Sequence, residues 1–405
     1  MGKIILYISY DGMTDPLGQS QVIPYLVGLE QMGHTIHVVS AEKKDRYQAA
    51  GRPFRKKMKE MKLHWHPVFY SNKYPGISAY LTYRRLRNES VQQLIKCHAE
   101  VVHCRSYIPA LIGLDFKRQS GVKFIFDMRG FWVEERVEGG IWNLKYLLYR
   151  KAYSFFKRKE LEFLAESDAI ISLTERARID LLQRNLPSLT AEKITVIPCC
   201  ADLDFFSPAN GAKNPVNVRK EIGINPQAFV LCYAGSVGSW YLLKEMLQFF
   251  KLLSSLTADA KFLILTLDDP KLIMKQADAM QIQANTIIIR QSERRLMPKY
   301  LSIANAAIFF IKNSFSKKAS SPTKMGEYMG MGIPIVCNAG IGDVDAIMQS
   351  ANSGIVLPAL NDKLMREAAG RLLQSTFPRQ AIVDAAQFYS LKNGIQRYHQ
   401  IYTSS

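Results

Sequence analysis

The sequence predicts an α/β protein made of two parallel-sheet domains, and three observations predict it. At 405 residues the chain exceeds what one ordinary core organises, and its 48% hydrophobic content is enough for two. Short apolar runs alternate with longer segments of helical pattern, as in sheets covered by helices on both faces, and this alternation runs through the chain twice. Between the two series lies PCCADLDFFSPANGAKNP, residues 198–215, rich in Pro, Gly, Asn and small residues and without a sustained apolar period.

The first series of predicted strands is 4–8, 37–40, 101–103, 124–126, 169–173 and 194–197. The opening MGKIILYISYDGM runs out of apolar residues after about six positions and reaches Asp11 and Asp15, so it reads as a buried strand and not as a signal peptide or membrane span. The second series is 229–233, 261–266, 286–290, 306–311, 335–337 and 354–356. Two such sets imply two Rossmann-like domains, 1–198 and 216–387, joined by a linker at 199–215, with a helix at 388–405 completing the first. The six cysteines, Cys97, Cys104, Cys199, Cys200, Cys232 and Cys337, include no C-x-x-C pair and no zinc spacing, so a reducing cytoplasm is the simplest setting.

The formal charge of +18 points to an anionic partner: nucleic acid, membrane phospholipid or a phosphorylated substrate. Ten Lys or Arg fall between Lys43 and Lys73, among them the run RKKMKEMK at 55–62. A second stretch, WNLKYLLYRKAYSFFKRKELEFL at 142–164, interleaves cations with Leu144, Leu147, Leu148, Phe155 and Phe156 at roughly helical spacing. A basic amphipathic helix of this kind suits an anionic membrane surface. The alternative is an apolar face packed on the core with its lysines merely solvated. Nucleic acid is not expected, because no zinc finger, RNP-like aromatic motif or helix-turn-helix pattern is present.

Ligands of open parallel sheets sit beyond the carboxyl ends of the strands, which directs attention to three segments. After the first strand comes YDGMTDPLGQSQVIPYL (10–26), where Gly18 is expected just before a helix whose N–H groups can face a phosphate, with Gln19 beside it. After strand 229–233 comes GSVGSW (235–240), where Gly235, Ser236 and Gly238 permit close backbone approach; a simple turn is the alternative for both. The third segment is SSPTKMGEYMGMGIP (320–334). Ser321 as N-cap and Pro322 as first helical residue start a helix expected to end near Gly332. That start puts Lys324 in the first turn, where the helix dipole is already positive and an acid is the usual choice. An anion across the helix end resolves the conflict, and Gly326, Gly330 and Gly332 suggest that something approaches the backbone closely.

These segments resemble the retaining glycosyltransferases of family 4, whose GT-B architecture is two facing Rossmann-like domains with a nucleotide-sugar in a deep interdomain cleft. The resemblance spans nearly the whole chain: the Gly18 loop, GHTIHVVS (33–40), SDAIISLTERA (167–177), VIPCCADLDFF (196–206), YAGSVG (233–238) and, most specifically, SPTKMGEYMGMGIPIV (321–336). It implies that Glu327 holds the nucleotide ribose, that backbone at Thr323 and Met325 approaches the diphosphate, and that Lys324 offsets the charge of the leaving phosphate. It places the base near Arg290 and Gln291. It also places FDMRGFWVEER (126–136) toward the acceptor and reaction centre, with Asp127, Arg129, Glu134 and Glu135 as candidates; a structural salt-bridge cluster is the alternative for these four.

Three departures from the family pattern stand out. Ala319 occupies the position of a common first glutamate. Ser236, Val237, Gly238, Ser239 and Trp240 replace a loop that often carries Arg and Lys, leaving Lys244 either as a cation that reaches in from the next helix or as a helix-surface lysine. Cys199 and Cys200 stand where Asn-Gly is common. The implied activity is transfer of a sugar from a nucleoside diphosphate, UDP by default, to an acceptor hydroxyl with retention, without metal or cofactor. The setting expected is the cytoplasmic face of a membrane, extending a cell-surface polysaccharide or lipid-linked glycan. The rival readings are a nucleotide-sugar epimerase, which needs paired carboxylates, and a non-catalytic basic membrane or nucleic-acid adaptor on the same fold.

Overall fold

The computed structural model describes residues 2–71, 77–238 and 240–404. Lys73, the last cation of the first basic stretch, and Ser239 of the GSVGSW loop lie outside the described residues. The chain forms two units: one runs to Pro198 and takes in the chain again from Leu391, and the other is Cys199–Ser390.

The first unit is a parallel sheet of β1 (Ile4–Ser9), β2 (Thr35–Glu42), β3 (His64–Phe69), β4 (Val101–Arg105), β5 (Lys123–Asp127), β6 (Ala169–Ser172) and β7 (Ile194–Val196), in the order β3-β2-β1-β4-β5-β6-β7. The central strands are buried along nearly their whole length, which explains their unbroken apolar runs. β3 is the strand the apolar pattern does not predict. Its sequence, HWHPVF, is only half-buried, and Pro67, opposite Ser40 in the register, is tolerated because β3 lies at the sheet edge. The register sets Ser9 beside Arg105 and Arg105 beside Asp127, so three polar residues meet at the carboxyl edge where the strand order reverses between β1 and β4.

The Leu391–Thr403 helix packs on the Ile23–Gln31 helix of this unit. Gly28 makes that contact possible, since a Cβ there would lie 2.2 Å from the Ile395 side chain. Arg397 adds a hydrogen bond to the Val196 carbonyl, 2.6 Å.

The second unit holds β8 (Phe229–Ala234), β9 (Ala260–Leu265), β10 (Ile287–Arg290), β11 (Ala306–Phe309), β12 (Ile335–Asn338) and β13 (Gly354–Leu357), all parallel, in the order β10-β9-β8-β11-β12-β13. The order reverses between β8 and β11, so the Gly235 loop again leaves the sheet at a switch point. The segment 199–215, expected as a linker, clusters with this unit. Cys199, Cys200, Ala201 and Phe206 are buried in it, and Ala201 N–H donates to the Tyr389 carbonyl at 2.8 Å.

Candidate functional site

In the second unit the site is built from two elements that the sequence singles out, the loop after β8 and the Thr323–Gly330 helix. The helix begins later than predicted. Pro322 is its N-cap and Lys324 its second residue, because the Ser321 hydroxyl accepts from Cys199 N–H at 3.1 Å instead of capping the helix. The helix glycines have a correspondingly local cause. A Cβ on Gly326 would meet Tyr389 at 2.8 Å, one on Gly330 would meet the Phe206 carbonyl at 2.5 Å, and one on Gly332 would meet Arg379 at 2.4 Å. What approaches this backbone closely is the chain's own 199–206 segment and its neighbours.

Lys324 is buried, with its Nζ 3.3 Å from the centroid of Tyr241, 4.9 Å from that of Tyr233 and 3.5 Å from the Tyr233 hydroxyl. Burial pushes its ammonium down to about 7, and the nearby Glu327 only partly opposes this. Cation–π attraction to two rings is a weak substitute for water, so the slot holds a cation that is short of a counter-ion. Gly235 forms one wall. Its φ of 132° is a region that side chains rarely adopt, and a Cβ there would lie 3.0 Å from Lys324 Nζ. The loop is further pinned by Asp268, whose Oδ2 accepts from Val237 N–H at 2.5 Å, and by the Tyr233 hydroxyl donating to the Ser236 carbonyl.

Three residues further along the same helix, Glu327 is 13% exposed and pairs with Arg294 at 3.3 Å. Burial raises its carboxyl above the usual range, with Arg294 and then Lys324 pulling the other way. Arg294 rests on Phe205 and Phe206, 5.8 and 5.1 Å from their centroids. Thr323 is the first helical residue, where an N–H has no intrahelical acceptor, whereas Met325 N–H closes a turn on the Pro322 carbonyl at 3.0 Å. Arg290 ends β10 half-buried and Gln291 follows it exposed. Ala319 is buried in a short 3-10 turn, Phe315–Ala319, and Lys244 is exposed at the start of the Leu243–Ser254 helix.

In the first unit, Asp127 closes β5 fully buried, with Oδ2 3.3 Å from His103 Nε2, 3.4 Å from the Tyr398 hydroxyl and 4.0 Å from Arg105. Burial pushes its carboxyl up, but Arg129, His103 and Arg105 together outweigh this and hold it below the usual carboxylate range. Burial likewise lowers His103, whose Nδ1 meets the Tyr402 hydroxyl at 2.8 Å. Arg129 is half-buried at φ 53°, a conformation that stores strain in a non-glycine residue and is often found at functional loops. Arg105 also reaches Asp11 of the first loop at 3.4 Å.

Glu134 belongs to a different cluster. It pairs with Lys157 at 2.5 Å; Lys157 also pairs with the fully buried Glu160 at 2.8 Å, and Arg184 and the Tyr107 hydroxyl bond Glu160 from other sides. Glu134 is thus part of a salt-bridge cluster. Glu135 lies half-buried in the first turn of the same Trp132–Glu138 helix. Gly18 departs from expectation as well. It sits inside the short Pro16–Gln21 helix, because Pro16 starts that helix earlier, and its missing side chain lets the helix pack on the Gly12 carbonyl, 2.2 Å from where a Cβ would be. Gln19 is exposed and donates to the Thr14 carbonyl at 3.1 Å.

Sequence reasoning missed Glu42, which organises that first loop. Fully buried at the end of β2, it accepts from Met13 N–H (2.7 Å), Thr14 N–H (3.1 Å), the Thr14 hydroxyl (2.6 Å) and the Ser40 hydroxyl (2.6 Å). Tyr241 and Arg294 were missed too. The only available signal for Glu42 was an acid closing an apolar strand, where the buried side of the carboxyl end demands a partner.

Two family models match the chain, Glycosyltransferase Family 4 over residues 21–205 and Glycosyl transferases group 1 over 217–387. No curated protein sequence matches it. Among solved structures it is similar to a glycosyltransferase from Rickettsia africae, 15% identical, with 99% of this chain and 98% of that one covered and a TM-score of 0.71. It is similar also to a sucrose-phosphate synthase from Thermosynechococcus elongatus, 12% identical, with 99% and 98% covered and a TM-score of 0.71. A third is the Anabaena protein HepE in complex with UDP-glucose, 12% identical, with both chains fully covered and a TM-score of 0.69. With both parallel-sheet units matched by these models, the chain belongs to the GT-B glycosyltransferases of family 4, group 1.

Proposed function

We propose that this glycosyltransferase moves a sugar from a nucleoside diphosphate, with UDP the favoured carrier, to an acceptor hydroxyl with retention at the anomeric carbon and without a metal ion or cofactor. The observation that carries the reading is Lys324: a buried ammonium in an aromatic slot, short of a counter-ion, beside the Gly235 loop at a sheet switch point. A diphosphate lying across Gly235, Ser236 and Thr323 supplies that counter-ion. Its charge grows as the glycosidic bond breaks, so Lys324 stabilises the transition state more than the bound donor. Met325 positions this turn of the helix.

Glu327, held half-buried by Arg294, accepts the ribose hydroxyls, and Arg290 and Gln291 border the base. In the first unit the Asp127 and Arg129 cluster faces the acceptor chemistry, with Glu134 and Glu135, on the helix that follows, on the acceptor side. Gly18 and Gln19 shape the first loop of the first unit. Same-face attack lets the departing phosphate take the acceptor proton, so no separate protein nucleophile is required. The complex of HepE with UDP-glucose supports a UDP donor.

The acceptor in this reading is a glycan, carried on a lipid, at the inner face of the membrane, and the pathway is cell-surface polysaccharide or lipid-linked glycan synthesis. Among the described residues no helix is long and apolar enough to cross a membrane. Peripheral attachment is supported by the basic Leu147–Glu166 helix, which leaves Leu147, Leu148 and Phe155 exposed near its start. The test is turnover of UDP-, GDP- and ADP-sugars with and without lipid-linked acceptors, in the presence of chelator, with the product anomer read by NMR. Retained configuration and chelator-insensitive turnover are expected; inversion, or no turnover of any donor, overturns the proposal.

A further inference from the structure

The first unit contains a cavity of about 640 Å³ that none of the roles above uses. Its lining is dominated by rings and aliphatic groups, among them Tyr10, Tyr83, Leu111, Trp132, Trp142 and Phe156. The rings brace one another: Trp132 packs edge-on against Trp142 at 5.3 Å and against Phe156 at 5.0 Å. The volume falls within the range of small-ligand pockets, and the wall is more apolar than a sugar or nucleotide site requires.

Two further observations say what fits it. First, part of the apolar lining itself reaches solvent. Leu148 is 67% exposed, and Tyr80 and Phe155, which also line the cavity, are exposed, on the two helices Ile77–Cys97 and Leu147–Glu166. Second, the charged groups in the lining are Arg136, Lys159 and Asp115. Lys159 is paired with Glu162 at 2.8 Å and Asp115 with Arg87 at 3.4 Å, whereas Arg136 rests on Trp132, 5.0 Å from its centroid, and makes no ion pair among the described residues. The cavity therefore combines an apolar body, an apolar exit and one uncompensated cation. Tyr10, in its wall, is followed in the chain by Asp11, which reaches Arg105 at the carboxyl edge of the sheet.

We propose that this cavity binds the apolar chain of a single-chain lipid phosphate, with Arg136 on the phosphate, as the anchor of the acceptor. Only the word acceptor rests on the proposed transferase reaction; chain binding stands apart from it. The exposed apolar residues around the exit lie against the bilayer from which the chain enters.

The test uses the purified full chain and titrates farnesyl phosphate, geranyl phosphate, farnesol and a short diacyl phosphatidic acid, each below its aggregation concentration. Binding is followed by tryptophan emission. Trp132 and Trp142 line the cavity while Trp65 and Trp240 do not, so the signal belongs to the cavity if Trp142→Phe reduces it. Each buried methylene contributes about fourfold in affinity, so farnesyl phosphate is expected to bind at least a hundredfold more tightly than geranyl phosphate. Ala152→Phe fills the cavity from the Leu147–Glu166 helix and is expected to weaken farnesyl phosphate at least tenfold. Arg136→Gln is expected to remove the preference of farnesyl phosphate over farnesol while leaving farnesol binding intact. UDP binding, measured in parallel, is expected to be the same in all variants and reports separately on the proposed donor site. Equal affinity for the two chain lengths, insensitivity to Ala152→Phe in a protein that still binds UDP, or tighter binding of phosphatidic acid than of farnesyl phosphate overturns the proposal.

Discussion

Replacing Lys324 by Met tests the reasoning about the slot independently of any substrate. In the unfolded chain this lysine titrates near 10.5, whereas in the folded protein burial moves it to about 7. Between those values the unfolded state holds the proton and the folded state does not, so stability rises with pH through that window and falls on acidification. Below pH 7 both states are protonated and the full cost of the buried charge is present. Each pH unit inside the window is worth about 1.4 kcal/mol. Integrating both titrations from pH 8.5 down to pH 6.5 gives a loss of about 2 kcal/mol. Met has no charge to titrate and keeps an unbranched stem against Tyr233 and Tyr241. Urea unfolding of parent and Lys324→Met at the two pH values is expected to show the stability difference shifting by about 2 kcal/mol in favour of the variant at the lower pH. In the same variant, sugar transfer is expected to fall by the equivalent of about 3 kcal/mol, the loss typical of one preorganised donor at a developing anion. A stability difference that does not change with pH means that the ammonium is not desolvated, and the argument for a missing counter-ion fails with it.

Other outcomes follow from neighbouring residues. Glu327→Ala is expected to weaken nucleoside diphosphate binding by about 1–3 kcal/mol, because ribose hydroxyls are left unpaired; calorimetry checks it, and equal affinity removes the ribose role. Gly235→Ala forces a side chain into φ 132° beside Lys324 Nζ, and is expected to cost about 1–3 kcal/mol of stability as well as most of the transfer activity. Arg184→Met leaves the buried Glu160 with fewer counter-charges and is expected to destabilise the first unit by about 3 kcal/mol in urea unfolding, with UDP affinity unchanged. Changing Arg55, Lys56, Lys57 and Lys59 together to Gln is expected to reduce co-sedimentation with anionic vesicles, at about 1 kcal/mol for each residue near the surface, and to reduce its dependence on salt; unaltered sedimentation removes that stretch from the membrane contact.

The fold was legible because central parallel strands, buried on both faces, write themselves as apolar runs, and even the edge strands β7, β10 and β13 carry short runs of this kind. β3 did not, because an edge strand satisfies weaker rules: His64, His66 and Pro67 are acceptable where one side of the ladder is open. Lys324 was legible as an anomaly, a cation where the helix field disfavours one, and its burial fits that reading. Gly326 and Gly330 of the same helix, and Gly332 just after it, were legible only as close approach; their partners, Ala201, Phe206, Tyr389 and Arg379, are distant in sequence or carry no local pattern. Glu134 and Asp127 show the same limit from another side. They lie seven residues apart in one motif, yet strand register takes Asp127 to His103 and Arg105 while the following helix takes Glu134 to Lys157. Tyr241 was invisible because a ring under a cation needs no spacing rule, only a fold that brings it there.

The Leu391–Thr403 helix has a consequence for how the enzyme comes into being. Its Tyr398 and Tyr402 hydroxyls are partners of Asp127 and His103, yet the whole of the Cys199–Ser390 unit is synthesised between them. At ribosomal speeds of about 5–20 residues per second, that interval lasts roughly 10–40 seconds. At its end all strands of the second unit have been made, while the first still waits with Gly28 uncovered and Asp127 lacking its tyrosine. A nascent chain thus holds every residue of its Lys324 slot before it holds every residue of the Asp127 cluster, and a chain truncated within the second unit lacks the two tyrosines of that cluster.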